Sequence, residues 1–290
     1  MENNVENSVE NSVENSAENS AENSVEIYEK TDHQKMAIQA LEMLQEICNR
    51  HGITLYLLAG TCLGAVREKG MIPWDDDIDV GFTYDEWYQI RKILPEEIEA
   101  PFSYADYEVV PGFPRMFGKI LYDQQSCVDI FLIAKFTTND FFGEIHWQIR
   151  RFAVTAYKYS IGYKAPQKPK TSSSKKKKRH ARRMRKIRHA MYLMTKPFCT
   201  TESYIKMNKW NEQYYEHRKY DCYINLYSVY HMDKERINKE WIENTSLVEF
   251  EGKMYNTVGD TDAYLTHLYG DYMTPPPEKK RKAMHGEVFS

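Results

Sequence analysis

Apolar residues recur at the helical period in the first ordered-looking stretch of the chain. Met36, Ala37, Ala40, Leu41, Leu44, Ile47 and Cys48 make one stripe. Thr31-Asp32-His33-Gln34 opens that stripe as a capping box, and Gly52 supplies a C-terminal stop. A second box, Thr83 to Glu86, starts a helix through about Leu94, where Pro95 interrupts the pattern. The apolar run at residues 53–58 predicts a strand, and Ile78 and Val80 alternate with Asp77 and Asp79 as on a second strand. Further strands are expected at residues 102–110, 116–122 and 127–133. The polar Asp-Gln-Gln-Ser between Tyr122 and Cys127 is short enough to join two antiparallel strands, which would return Asp129 to the sheet carrying the Asp pair. Helices near 145–159 and 201–218, a strand around 247–255 and a last helix at about 260–269 complete the pattern. Together these elements predict an α+β fold: a mixed sheet with flanking helices and a helical C-terminal portion.

Composition refines this picture at the ends and in one insertion. The chain has 290 residues, 42% of them hydrophobic, which is enough for a real core. Its net charge of -3 conceals segregation, since residues 1–30 are acidic and the run from Lys175 to Arg188 is densely basic. The repeat at residues 5–26, VENSVENSVENSAENSAENSVE, turns its lone Val or Ala by about 40° per unit around a helix, so no steady apolar stripe forms. Residues 1–30 therefore read as a disordered acidic tail, with a partner-binding arm as the alternative. Residues 31–274 read as one catalytic domain with a basic insertion at about 165–190, and 275–290 as a C-terminal tail. Cys48, Cys62, Cys127, Cys199 and Cys222 lack metal or redox spacing, so reduced thiols are expected. With neither an apolar run of bilayer length nor a signal-peptide pattern, the expected location is cytoplasmic, including the inner face of the membrane.

The chemistry concentrates between Leu57 and Gly81, LLAGTCLGAVREKGMIPWDDDIDVG. Asp77 and Asp79 point to one side of a strand with Cα atoms roughly 7 Å apart, and two such carboxylates can share divalent ions. Gly60-Thr61 falls where a strand meets a helix, so backbone N–H groups and the positive helix end suit a phosphate. Asp129, in Cys-Val-Asp-Ile-Phe, sits amid apolar neighbours and is costly to bury without a cation. It reads as a third metal ligand or a general base, or else as a strand-end residue capping a turn. Asp75 and Asp76 suit an Asx turn after Pro73-Trp74 better than ligation. Arg67, Lys69 and Lys119 are candidates for donor phosphates, with ordinary solvated cations the alternative.

The order strand, Gly-Thr, helix and Asp-x-Asp resembles the nucleotidyltransferase superfamily, and AGTCLGAVREKGMIPWDDDIDV is similar to the LicD family in particular. YLTHLYGDYMTPPP, followed by Arg281 and His285, resembles that family's C-terminal signature. Cys62, Glu68 and Leu132 depart from its usual residues without removing a carboxylate or the Gly-Thr turn. The resemblance implies a nucleotidyltransferase-like fold and transfer of a substituted phosphate, phosphocholine from CDP-choline above all. The acceptor would be a sugar hydroxyl of a cell-surface glycan such as lipopolysaccharide or teichoic acid, or of its lipid-linked precursor. It assigns Asp77 and Asp79 to metal and makes Arg281 and His285 substrate-site candidates. With Asp129 as the third candidate ligand, these hard oxygen donors suit two Mg2+ ions, with Mn2+ as the substitute. Trp74, beside the acidic motif, would then offer a cation–π wall to choline. Partners follow from the same reading: a CDP-linked donor, a glycan or glycolipid acceptor, and an anionic membrane surface for the run from Lys175 to Arg188. Two rivals remain: a nucleotide-sugar glycosyltransferase using Asp-x-Asp, and an RNA-binding protein using the basic cluster. The first has too little chain before Asp77 for a nucleotide-binding βα region. The second lacks interleaved aromatics and leaves the carboxylates unexplained, so nucleic acid is disfavoured.

Overall fold

The computed structural model describes residues 29–163, 175–278 and 281. The repeat tail, residues 164–174 and His285 lie outside the described residues.

Local sequence signals set the first elements. Helix α1 (Asp32–His51) begins at the Thr31/Gln34 capping box and ends at Gly52, whose φ of 65° is a left-handed stop. Its stripe is buried at Ala37, Ala40, Leu41, Leu44, Ile47 and Cys48. Strand β1 (Tyr56–Leu57) is shorter than the apolar run suggested, because α2 (Ala59–Arg67) starts directly after Leu58. Strand β2 (Ile78–Thr83) carries Asp79 and leads into α3 (Tyr84–Glu97) through the Thr83/Glu86 box. Pro95 does not end α3. It falls in the last turn, where only one backbone bond is forfeited, and Ile98 N–H still donates to Leu94 O at 3.0 Å.

Strands β3 (Phe102–Ala105), β4 (Gly118–Tyr122) and β5 (Gln125–Phe136) follow. β3 stops short of residue 110 because Asp106 accepts the amides of Glu108 and Val109, forming a side-chain turn. β4 and β5 pair antiparallel as expected, through a two-residue turn in which Asp123 (φ 45°) and Gln124 (φ 63°) match the twist of the strands.

Helices α4 (Asp140–Ser160), α5 (Lys175–Thr195) and α6 (Thr201–Gln213) come next. The basic run is therefore helical rather than a loop. Then come β6 (Cys222–Asn225), α7 (Met232–Glu235), β7 (Arg236–Asn238) and α8 (Lys239–Glu243). β8 (Ser246–Phe250), β9 (Lys253–Thr257) and α9 (Thr261–Tyr269) end the series. The single strand expected at 247–255 is a hairpin, turned at Glu251 (φ 52°) and Gly252 (φ 76°). The C-terminal portion thus contributes four strands, not helices alone.

Among the described residues these strands form one mixed sheet in the order β3-β4-β5-β2-β1-β9-β8, with β6 on β5 and β7 on β6. β2 and β5 run parallel, as do β1 and β9; the other pairings are antiparallel. The architecture is α+β, in line with the pattern read from the sequence. No helix among the described residues is long and apolar enough to cross a membrane.

Candidate active site

Parallel pairing of β2 with β5 sets Asp79 directly opposite Asp129, with Ile78 opposite Val128 and Val80 opposite Ile130. Period-two alternation sends the aliphatic side chains to one face and both carboxylates to the other. Asp77 lies just before β2. One oxygen from each of Asp77, Asp79 and Asp129 falls within 4.8 Å of the other two, and Asp77 and Asp129 are buried. The three expected carboxylates are brought together.

Main-chain contacts fix them in place. Asp79 N–H donates to Thr61 Oγ1 at 2.7 Å, and Asp79 O accepts from Leu58 N–H at 3.0 Å, so β2 is stitched to the start of α2 on both sides. The buried Gln34 of α1 donates to Asp75 O at 2.7 Å and Pro73 O at 3.4 Å, holding the turn before Asp77. Lys119 on β4 makes an ion pair with Asp129 Oδ1 and donates to Ser126 Oγ at 2.9 Å, while Ser126 Oγ itself donates to Asp129 Oδ1.

Gly60, in the first turn of α2, faces this cluster. A Cβ there would stand 3.0 Å from Asp75 Oδ2 and 3.9 Å from Asp79 Oδ2. The expected Gly-Thr bend therefore looks into the acidic site. N–H groups of a first helical turn have no carbonyl within the helix to bond, and they carry the positive end of the dipole. Thr61 also contributes its side chain, whose hydroxyl oxygen receives the Asp79 amide.

Electrostatics match the geometry. Burial, then the neighbouring Asp79, Asp129 and Asp75, push the Asp77 carboxyl well above the usual range, and Lys119 offsets this less strongly. The donor set is all carboxylate oxygen, which hard divalent cations select. Asp75 also groups with Asp76 and Asp77 within 4.8 Å, so the turn residues belong to the acidic site as well.

The expected cations divide. Lys119 spends its charge on Asp129. Lys69 is exposed two residues past the end of α2, the opposite end from Gly60, and its carbonyl accepts the Glu251 amide at 2.9 Å. Arg67 donates to Tyr272 O at 2.9 Å and lies 5.9 Å from the Trp74 ring centre. Arg281 lies 5.0 Å from the same ring and donates to Pro276 O at 2.8 Å. Trp74 thus meets two guanidinium groups rather than standing as an open wall for a quaternary ammonium.

Some neighbours were not foreseen. Tyr264 Oη accepts the Ala59 N–H at 3.1 Å, capping α2 from α9 where Leu58 cannot. Burial, the carboxylate of Glu235 and that of Asp79 raise the hydroxyl of Tyr230. Tyr269 is raised by burial, Tyr264 and Tyr230, with smaller contributions from Asp79 and Glu235. Tyr264 and Tyr269 sit inside the C-terminal signature, which was the available signal; Glu235, on a four-residue helix, had none.

Residues 52–166 match the LicD/FKTN/FKRP nucleotidyltransferase domain. The chain is 27% identical over 270 residues to the lipopolysaccharide cholinephosphotransferase LicD of Haemophilus influenzae, spanning 88% of this chain and 95% of that protein. Shorter similarities link it to uncharacterised proteins of Rickettsia prowazekii, 31% over 97 residues and a third of each chain, and Rickettsia typhi, 33% over 66 residues. The typhi match covers 22% of this chain and 21% of the other.

Proposed function

We propose that this chain, which carries a LicD-family domain, transfers phosphocholine from CDP-choline to a sugar hydroxyl of a cell-surface glycan or its lipid-linked precursor. The observation that carries this reading is the convergence of Asp77, Asp79 and Asp129 beside the first turn of α2. The choline and the lipopolysaccharide class come from the name of the Haemophilus relative.

In this reading Asp77, Asp79 and Asp129 hold Mg2+, with Asp75 at the edge. When bound, the metal offsets the charge of the donor phosphates and lowers the cost of bringing an oxygen nucleophile to them. The remaining work belongs to the protein. Gly60 leaves room for a phosphate oxygen at the amide end of α2. Thr61 and Leu58 fix the Asp79 main chain, and Tyr264 keeps α2 seated. Lys119 and Ser126 set the rotamer of Asp129, so the carboxylate faces its partners before substrate arrives. Arg67, held by Glu68 and the Tyr272 carbonyl, and Arg281 both lie over Trp74 and bring positive charge beside the turn that leads to Asp77, which would favour an anionic donor.

The test is CMP release from a panel of cytidine diphosphate donors with Mg2+ and a lipid-linked glycan. The expected result is turnover with CDP-choline, phosphate retained in the glycan product, and a loss of at least about a thousandfold in Asp79→Asn. A product lacking the phosphate would instead mark a glycosyltransferase.

A further inference from the structure

Helix α5 has a buried side and an outward side of different character. Arg188 and Tyr192 are buried against the body of the protein, while Met184 and Met191 follow at the helical period along an open groove beside α4 and α6, Met191 remaining 43% exposed. At about 100° per residue, Arg179, Arg183 and Lys186 share the outward face with Leu193 and Met194. Met194 is 75% exposed, and Phe198 in the turn just after the helix is 88% exposed. The cations occupy the first half of that face and the large apolar side chains its end.

A cavity of about 620 Å³ opens between α4, α5 and α6, walled by Phe152, Met184, Ile187, Met191, Met207 and Trp210 with Arg188 beside them. A second, of about 370 Å³, lies on the other flank of α5 at Tyr159, His189 and Leu193. Neither is lined by residues of the acidic site. The segment just before α5, residues 164–174, KAPQKPKTSSS, contains no large apolar side chain.

Large apolar side chains exposed together beside a charged face mark interaction sites. Their placement at the end of a cationic helix suits one occupant in particular. Anionic headgroups attract Lys and Arg near the surface, while apolar side chains on the same face enter the acyl boundary. RNA would satisfy the cations alone.

We infer that the outer face of α5, with Phe198 and the apolar groove beside it, is a docking surface for a bilayer containing anionic phospholipid. The surface goes beyond the reaction proposed above and is independent of it, since binding is read without turnover.

Flotation of the full-length protein with vesicles of phosphatidylcholine, with and without phosphatidylglycerol, tests it. The expected result is binding to the anionic vesicles that weakens as salt rises. Arg179→Gln/Arg183→Gln/Lys186→Gln should weaken it roughly a hundredfold, from about a fivefold effect per cation near the surface. Leu193→Ser/Met194→Ser/Phe198→Ser should weaken it at least about tenfold with the charge unchanged. Circular dichroism confirms that both variants fold. Absence of binding to anionic vesicles, or equal binding by folded variants, overturns the inference. So does salt-sensitive binding to a homopolymer RNA that the serine variant retains in full while vesicles are ignored.

Discussion

Replacing Gly60 with Ala separates the needs of the fold from those of the site. Gly60 has ordinary helical backbone in the first turn of α2, so alanine fits the chain conformation and should add up to about 0.5–1 kcal/mol through helix propensity. In a domain of this size that corresponds to a rise of a few degrees in Tm, on the order of 2–4 °C per kcal/mol. The new methyl, however, would stand 3.0 Å from Asp75 Oδ2, closer than a comfortable contact, and 3.9 Å from Asp79 Oδ2. The flexible Asp75 carboxylate can withdraw by a few tenths of an ångström, so stability survives. The space the methyl takes is the space assigned to a donor phosphate oxygen. Displacements on the order of 1 Å at a reacting centre cost about a hundredfold, so kcat/KM should fall at least that far while Tm holds or rises. Differential scanning fluorimetry and CMP release on the same preparation give both numbers. Turnover within about twofold of the parent, in a variant that folds normally, would refute the cradle and with it the placement of the donor.

Other perturbations probe other links. Millimolar Mg2+ should raise Tm in the parent, by about 2.7 kcal/mol equivalent at a hundredfold excess over Kd, and not in Asp77→Asn/Asp79→Asn; equal shifts would place the ion elsewhere. Arg91→Met leaves the buried Asp106, bonded to it at 2.8 Å, without its cation and should cost about 3–5 kcal/mol in urea unfolding. Burial pushes the Asp106 carboxyl up, yet Arg91 and Tyr104 hold it below its ordinary value. Its contribution is therefore present above pH 4 and is lost as pH falls through the lower folded value; Asp106→Asn should flatten that acid limb of stability. Burial raises Glu235 to about 7 against the weaker pull of Ser228, Lys234 and Arg150. The folded state thus holds the proton more tightly, and stability should fall by on the order of 2–3 kcal/mol between about pH 4.5 and 7, a slope that Glu235→Gln removes.

What the sequence announced were features whose cause is local. The capping boxes at Thr31 and Thr83, the Gly52 stop and the tight turn at Asp123-Gln124 each follow from a few adjacent side chains, and each stands where expected. The last of these also delivered Asp129 to Asp79, because a short antiparallel connection leaves a strand little freedom in where it returns. Features decided by distant contacts stayed hidden. β6 and β7 have four and three residues and exist because β5 has an edge to pair. The hairpin at Glu251-Gly252 read as one strand because its turn is only two residues long. α5 carries so many cations that its polar side masked a helical apolar face completed by α4 and α6. Gln34 and Lys119 show the same limit inside the site. One served visibly as a capping residue and the other as a free-looking strand cation, while their contacts with Asp75 and Asp129 depend on packing across the sheet.

That packing answers an electrostatic demand. Two charged carboxylate oxygens within 4.8 Å of each other repel by at least about 3 kcal/mol at an effective dielectric of 20, and like charges directly opposite on neighbouring strands are unfavourable in their own right. A lone Asp-x-Asp on a flexible loop would relieve this by swinging apart. Here it cannot, because Thr61 and Leu58 hold the Asp79 main chain, Gln34 holds the turn before Asp77, and Lys119 with Ser126 holds Asp129. Repulsion that the fold refuses to relax is energy a bound cation releases, so the rigidity of these partners bears directly on metal affinity. Thr61→Val keeps the shape and burial of the side chain while deleting the oxygen that receives the Asp79 amide. It should cost about 1–3 kcal/mol of stability for the orphaned donor and weaken Mg2+ binding, read by calorimetry, by tenfold or more. Thr61→Ser, which retains the acceptor, should restore most of the metal affinity. If valine loosened the fold but left Mg2+ affinity unchanged, the carboxylates would not owe their convergence to this bond.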